Sequence, residues 1–129
     1  MANVLIVDDE EMDRFLGSRI VEDAGHTPFF AGDGEVALQM YKDNDIALVI
    51  TDLRMPKLDG LRLIRELIAH DPEAAIIAVS GAADDLEEAE RMGAHSGLLK
   101  PVEPETLVRR VQEVLDKLST GGDMWGSGW

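Results

Sequence analysis

The chain has 129 residues, 45% of them apolar and 29% charged, the balance of one globular domain large enough to bury a core without staples. It contains no cysteine, which excludes a disulfide framework and a thiolate zinc site. A net charge of −14 argues against direct binding to nucleic acid or to an anionic membrane, and favours cations and basic partner surfaces. No apolar stretch approaches the ~20 residues of a membrane span, and the apolar start is too short and too acidic for a signal peptide, so a cytoplasmic location is expected.

Taken in chain order, strands and helices alternate. The apolar run Val4–Val7 predicts a strand, and a helix follows over Glu11–Ala24, ended by Gly25. In it Met12, Leu16 and Ile20 recur at the spacing of one buried face. A second strand is expected at Thr27–Ala31, then a helix over Glu35–Lys42 capped by Asp33 or Gly34. Ala47–Thr51 is the third strand. Met55-Pro56-Lys57-Leu58-Asp59-Gly60 is a loop, and Leu61, Ile64, Leu67 and Ile68 mark the next helix. Asp71-Pro72 breaks it before a fourth strand, Ala75–Val79. Asp84–Met92 is a short acidic helix stopped by Gly93, and Gly97–Leu99 a brief fifth strand. Pro104 opens a last helix whose apolar stripe is Leu107, Val108, Val111, Val114, Leu115 and Leu118.

This alternation predicts an α/β fold, a doubly wound parallel sheet of five strands with five helices on its two faces. Ligands of such sheets bind outside the carboxyl ends of the strands. The residues at those ends are informative. The first strand runs into Asp8, Asp9 and Glu10, and the third stops at Asp52. The fourth ends at Ser80, the fifth at Lys100-Pro101. Alone, each is an ordinary turn or cap residue. Together on one edge they gather three acids, a hydroxyl and an ammonium, a cluster that is costly unless a divalent cation sits among the acids. The chemistry indicated is metal-assisted and involves phosphate.

In this order the motifs resemble the receiver domains of two-component response regulators, in particular the stand-alone, chemotaxis-regulator-like ones, over about Asn3 to Leu118. The matching features are the acidic pair Asp8-Asp9, Asp52 within Thr-Asp-Leu-Arg-Met-Pro, the Leu58-Asp59-Gly60 turn, Ser80, and Lys100-Pro101. The resemblance implies a flavodoxin-like strand order 2-1-3-4-5, with residues 1–118 as the receiver domain and 119–129 as a tail rich in Gly and holding both tryptophans, Trp125 and Trp129. It implies Mg2+, for which Mn2+ can substitute, held by carboxylates of Asp9 and Asp52, by the backbone carbonyl of Arg54, and through water by Asp8. It makes Asp52 the phosphoacceptor, a carboxylate nucleophile forming an acyl phosphate, with Lys100 and Ser80 on the phosphoryl oxygens. Pro101 is where the family often carries a cis peptide.

The implied partner upstream is a histidine kinase or histidine phosphotransfer protein, with a protein target downstream and no nucleic acid or membrane bound directly. A monomer or a phosphorylation-dependent dimer is expected, and no turnover of a separate substrate. Two other readings compete. A metal-dependent phosphohydrolase with an aspartyl nucleophile would carry an acid two residues later, where Arg54 stands and cannot donate a proton usefully. A receiver-like scaffold that works without phosphorylation stays open because of Gly97, which occupies the position where the family usually has an aromatic residue that swings inward on activation. Gly97 removes that relay, leaving a groove or a space that neighbours fill; the tail tryptophans are candidates for it. His26, His70 and His95 lack metal-ligand spacing, and Asp84, Asp85, Glu87 and Glu88 form a solvated acidic helix face.

Overall fold

In a computed structural model of the chain, the apolar runs pair into one parallel sheet in the order β2-β1-β3-β4-β5. The strands are β1 (Asn3–Val7), β2 (Thr27–Ala31), β3 (Leu48–Asp52), β4 (Ile76–Ser80) and β5 (Ser96–Leu99). Between and after them lie α1 (Glu11–Asp23), α2 (Gly34–Asp43), α3 (Gly60–His70), α4 (Ala83–Met92) and α5 (Pro104–Ser127). Residues 1–54 and 59–127 are described, with side chains of α5 up to Leu118. The loop residues Met55, Pro56, Lys57 and Leu58, Trp129, and the side chain of Trp125 lie outside the described residues. The fold class and strand order are those expected.

The strands are nearly continuous apolar runs because helices cover both faces of the sheet. Alternate side chains point to opposite faces, so the core divides in two. Leu5, Val7, Val49, Ile76 and Ala78 pack with Leu63, Ile64 and Leu67 of α3 and Ala89 of α4. Val4, Ile6, Leu48, Ile50, Ile77 and Leu98 pack with Val21 of α1 and Leu107, Val111 and Val114 of α5. Each fully buried aliphatic side chain contributes on the order of 1.5–3 kcal/mol over leaving it in water.

Two strand ends lie one residue further on than the apolar runs suggest. Asp52 pairs with Val79 and Ser80 with Leu99 as the last residues of β3 and β4. The ladder continues because Leu53 N–H donates to the Val79 carbonyl at 3.1 Å and Lys100 N–H to the Ser80 carbonyl at 2.9 Å. For α2 the cap is Asp33, whose Oδ1 accepts the Val36 N–H at 2.9 Å, while Gly34 is the first helical residue. At the end of α4 Gly93 adopts φ +122°, a conformation that side-chain-bearing residues rarely reach. α5 continues past Leu118, itself 40% exposed rather than part of the buried stripe.

Of the expected inner face of α1, Ile20 packs on the core and Met12 and Leu16 do not. Met12 and Leu16 are 66% and 52% exposed, as is Phe15, while the fully buried residue is Val21. The face turned to the sheet runs through Gly17, Ile20 and Val21, which also have helical spacing. Gly17 decides the matter: a Cβ built on it would lie 3.4 Å from Ile6 Cγ2, so the helix approaches the sheet along its smallest residue. The larger apolar side chains are left pointing outward.

Candidate functional site at the carboxyl edge of the sheet

The parallel strands end side by side, so their terminal residues share one edge of the sheet. β1 delivers Asp8 and Asp9, β3 delivers Asp52, β4 Ser80, and the residue after β5 is Lys100. One carboxylate oxygen from each of Asp8, Asp9 and Asp52 lies within 4.8 Å of the other two. Asp52 is only 7% exposed, whereas Asp8 and Asp9 are half-buried at the mouth.

Asp52 is held through both oxygens. Its Oδ2 accepts the Lys100 Nζ–H at 3.0 Å and its Oδ1 accepts the Arg54 backbone N–H at 3.2 Å. Beneath it, Gly60 opens α3 against the strand backbone: a Cβ there would fall 2.4 Å from the Asp52 carbonyl oxygen and 2.5 Å from Leu53 Cα. Only glycine fits. Asp59 caps that helix, its Oδ1 accepting the Leu61 N–H at 2.9 Å. Ser80 is fully buried, and its Oγ accepts the Ala82 N–H at 3.1 Å at the entrance to α4. The Lys100–Pro101 peptide is cis, as expected.

The electrostatics follow from crowding. Burial pushes the Asp8 carboxyl up to about 6, and the charges of Asp52 and Asp13 add to the rise. The Glu10 N–H on Asp8 Oδ1, at 2.9 Å, and the Lys100 charge oppose it. Burial alone would lower Lys100, but the hydrogen bond and charge of Asp52, with Asp8 and Asp13 behind it, hold the ammonium above the usual lysine value. Three hard oxygen donors, one of them costly to ionise in the absence of a cation, are the donor set that Mg2+ takes. The residues fit the metal.

Several neighbours of the site were not legible in the sequence. Arg54 Nε donates to Asp85 Oδ2 at 2.8 Å, joining the end of β3 to the first turn of α4. Gly97 leaves no empty groove: a Cβ on it would lie 3.2 Å from Leu86 Cβ and Cδ2 and 3.2 Å from Glu90 Oε2. Leu86 and Glu90 are four apart on α4, so their shared face was readable from spacing, though not what it covers. Arg110 of α5 donates to Ser96 Oγ and to the Gly97 carbonyl, tying β5 down from the other side. A groove of about 880 Å³ opens instead between α1 and the start of α5, lined by Phe15, Leu16, Ile50, Val102 and Leu107 and reaching Asp52 and Lys100.

The receiver-domain family of response regulators matches residues 4–112. The chain belongs to that family. It is 34% identical to the chemotaxis protein CheY of Thermotoga maritima over 90% of this chain and 96% of that one. A response regulator receiver domain protein of Clostridium thermocellum superposes with a TM-score of 0.88 at 28% identity, covering 93% of this chain and 98% of the other. Other relatives are longer. This chain spans 54% of a probable transcriptional regulator of Porphyridium aerugineum, at 34% identity over 97% of this chain. It spans 13% of the sensor kinase CckA of Brucella abortus, at 36% identity over 90% of this chain. Among the described residues of this receiver domain, no helix is long and apolar enough to cross a membrane.

Proposed function

We propose that this receiver domain accepts a phosphoryl group on Asp52 from a histidine kinase or histidine phosphotransfer protein, and that the modified domain changes its affinity for a protein partner. The observation that carries the reading is Asp52 itself: a carboxylate 7% exposed, oriented through both oxygens, and close to two further carboxylates. A buried acid in such company is a poor solvated surface group and a good oriented nucleophile.

In the transfer, an Asp52 oxygen attacks the phosphorus of the donor phosphohistidine. The P–O bond forms and the P–N bond breaks, and the donor ring, protonated on its other nitrogen, leaves with the bonding pair as neutral imidazole. Asp9, Asp52 and the Arg54 carbonyl would hold Mg2+ or Mn2+, with Asp8 acting through water; when bound, the ion neutralises charge on the transferring oxygens. Lys100 is already on Asp52 and can follow the charge onto a phosphoryl oxygen. Ser80 Oγ accepts one hydrogen bond and keeps its own O–H free to donate to another phosphoryl oxygen. Met12, Phe15 and Leu16, exposed beside the groove, support a protein donor, since apolar side chains offer little to a small anion.

The test is incubation with Mg2+ and acetyl phosphate followed by intact mass. The parent should gain one phosphoryl group and Asp52→Asn none. A parent that gains nothing supports the phosphorylation-independent scaffold; an Asp52→Asn variant that labels as well as the parent moves the acceptor elsewhere.

A further inference from the structure

We propose that the Arg54–Asp85 ion pair is the link between Asp52 and α4, and that it opens when Arg54 turns from Asp85 to the phosphoryl group. The inference rests on the phosphoacceptor reading above and names how that site reaches the output helix.

Arg54 is attached to the site at one end and to α4 at the other. Its N–H is on Asp52 Oδ1 at 3.2 Å, and its Nε is on Asp85 Oδ2 at 2.8 Å. Asp85 sits in the first turn of α4, a helix whose N-cap, Ala82, supplies no capping side chain. The other tie at that end is Ser80 Oγ on the Ala82 N–H, at 3.1 Å. Arg54, hydrogen-bonded to Asp52, and Ser80, at the end of the neighbouring strand, therefore both hold the entrance of α4.

The ion pair suits exchange because it is weak. Its side chains are 71% and 25% exposed, and a pair of that kind holds by no more than about a fivefold preference. Phosphorylation replaces the single carboxylate charge of Asp52, the residue to which Arg54 is hydrogen-bonded, with about two charges on an acyl phosphate, a net gain of about one negative charge spread over exposed oxygens. It also offers the guanidinium fork two oxygens where Asp85 takes one hydrogen bond from Nε. Phosphorylation can shift α4 only by the difference between these attractions, and that difference amounts to roughly tenfold in population.

Gly97 makes such a link necessary. α4 rests on β5 through Leu86 and Glu90 directly over the glycine, with no side chain beneath them to rotate. The route from the site to α4 then runs along the edge of the sheet, through Arg54 and Ser80. Once freed, Asp85 joins Asp84 and Glu87 on an acidic face open to a basic partner.

The experiment follows the backbone amide resonances of Ala83–Leu86 in the full chain, with Mg2+ and acetyl phosphate, scaled to the phosphorylated fraction read by intact mass. The parent should show shifts at these amides. Asp85→Asn should move them part-way to the phosphorylated positions before any donor is added. Arg54→Ala should reduce the phosphorylation-dependent shift at least threefold per phosphoryl group bound, and Arg54→Lys should restore part of it. A full-size shift in Arg54→Ala, or an Asp85→Asn spectrum unchanged at α4, overturns the link while the mass gain of the parent leaves the acceptor reading standing. No mass gain in the parent overturns both.

Discussion

Asp8→Asn should stabilise the metal-free protein at neutral pH. The Asp8 carboxylate lies within 4.8 Å of carboxylate oxygens of both Asp9 and Asp52, and one such pair of charges repels by about 1–3 kcal/mol depending on the local dielectric. The rise of its pKa from 3.8 to about 6, caused first by burial and then by the charges of Asp52 and Asp13, measures the whole penalty of ionising the group, roughly 3 kcal/mol at 1.36 kcal/mol per pH unit. The group is half in solvent, and screening reduces that by about half, to about 1.5 kcal/mol. The sign follows from linkage. The folded state holds the Asp8 proton more tightly than the unfolded state, so the parent loses stability as pH rises from about 4 to about 6. Above that window the ionised group carries its full penalty, and below it the penalty is absent. Asparagine keeps the oxygen that accepts the Glu10 N–H and never ionises. Urea unfolding without metal should therefore show parent and variant alike near pH 4 and the variant ahead by about 1.5 kcal/mol at pH 7, or about 4–6 °C in Tm. Millimolar Mg2+ should narrow or reverse the gap, because the parent gains more from the cation. A variant less stable than the parent at pH 7 without metal, or a difference independent of pH, would refute the reasoning.

Gly60→Ala should disable both fold and site. Its Cβ would meet the Asp52 carbonyl oxygen at 2.4 Å, and backbone cannot yield as a flexible side chain does, so a loss of at least about 3 kcal/mol in denaturant unfolding is expected. Gly97→Tyr, which installs the aromatic that relatives of this type usually carry, should cost about 1–3 kcal/mol, because Leu86 meets the new side chain through its Cβ, close to the α4 backbone. A melting curve for Gly97→Tyr equal to the parent would mean that α4 gives way freely at this seam.

Much of this molecule was legible because period and position carry the information. Uninterrupted apolar runs marked the buried strands, and a parallel sheet brings its strand ends together wherever the exact last residue falls. Asp8, Asp9, Asp52, Ser80 and Lys100 could therefore be placed on one edge before their distances were known. The inner face of α1 was partly misjudged, for a physical reason: helical spacing offers two candidate faces, and the approach of Gly17 to Ile6, not hydrophobicity, selects between them. The Arg54–Asp85 pair and the seat of Leu86 on Gly97 join residues from different crossovers. No local pattern encodes such pairs, since they depend on how far each helix is pulled toward the sheet.

The division of the core by the sheet has a consequence for traffic at this domain. Side chains beneath α1 and α5 and those beneath α3 and α4 belong to two apolar clusters on opposite faces of the sheet. A protein resting on α1 and another resting on α4 would occupy opposite sides, with Asp52 on the rim between them. A standard footprint covers about 800 Å² per partner, and the accessible surface is 7340 Å². Two such footprints take up little more than a fifth of it. Two proteins of that size on these two faces need not take turns; both have room at once.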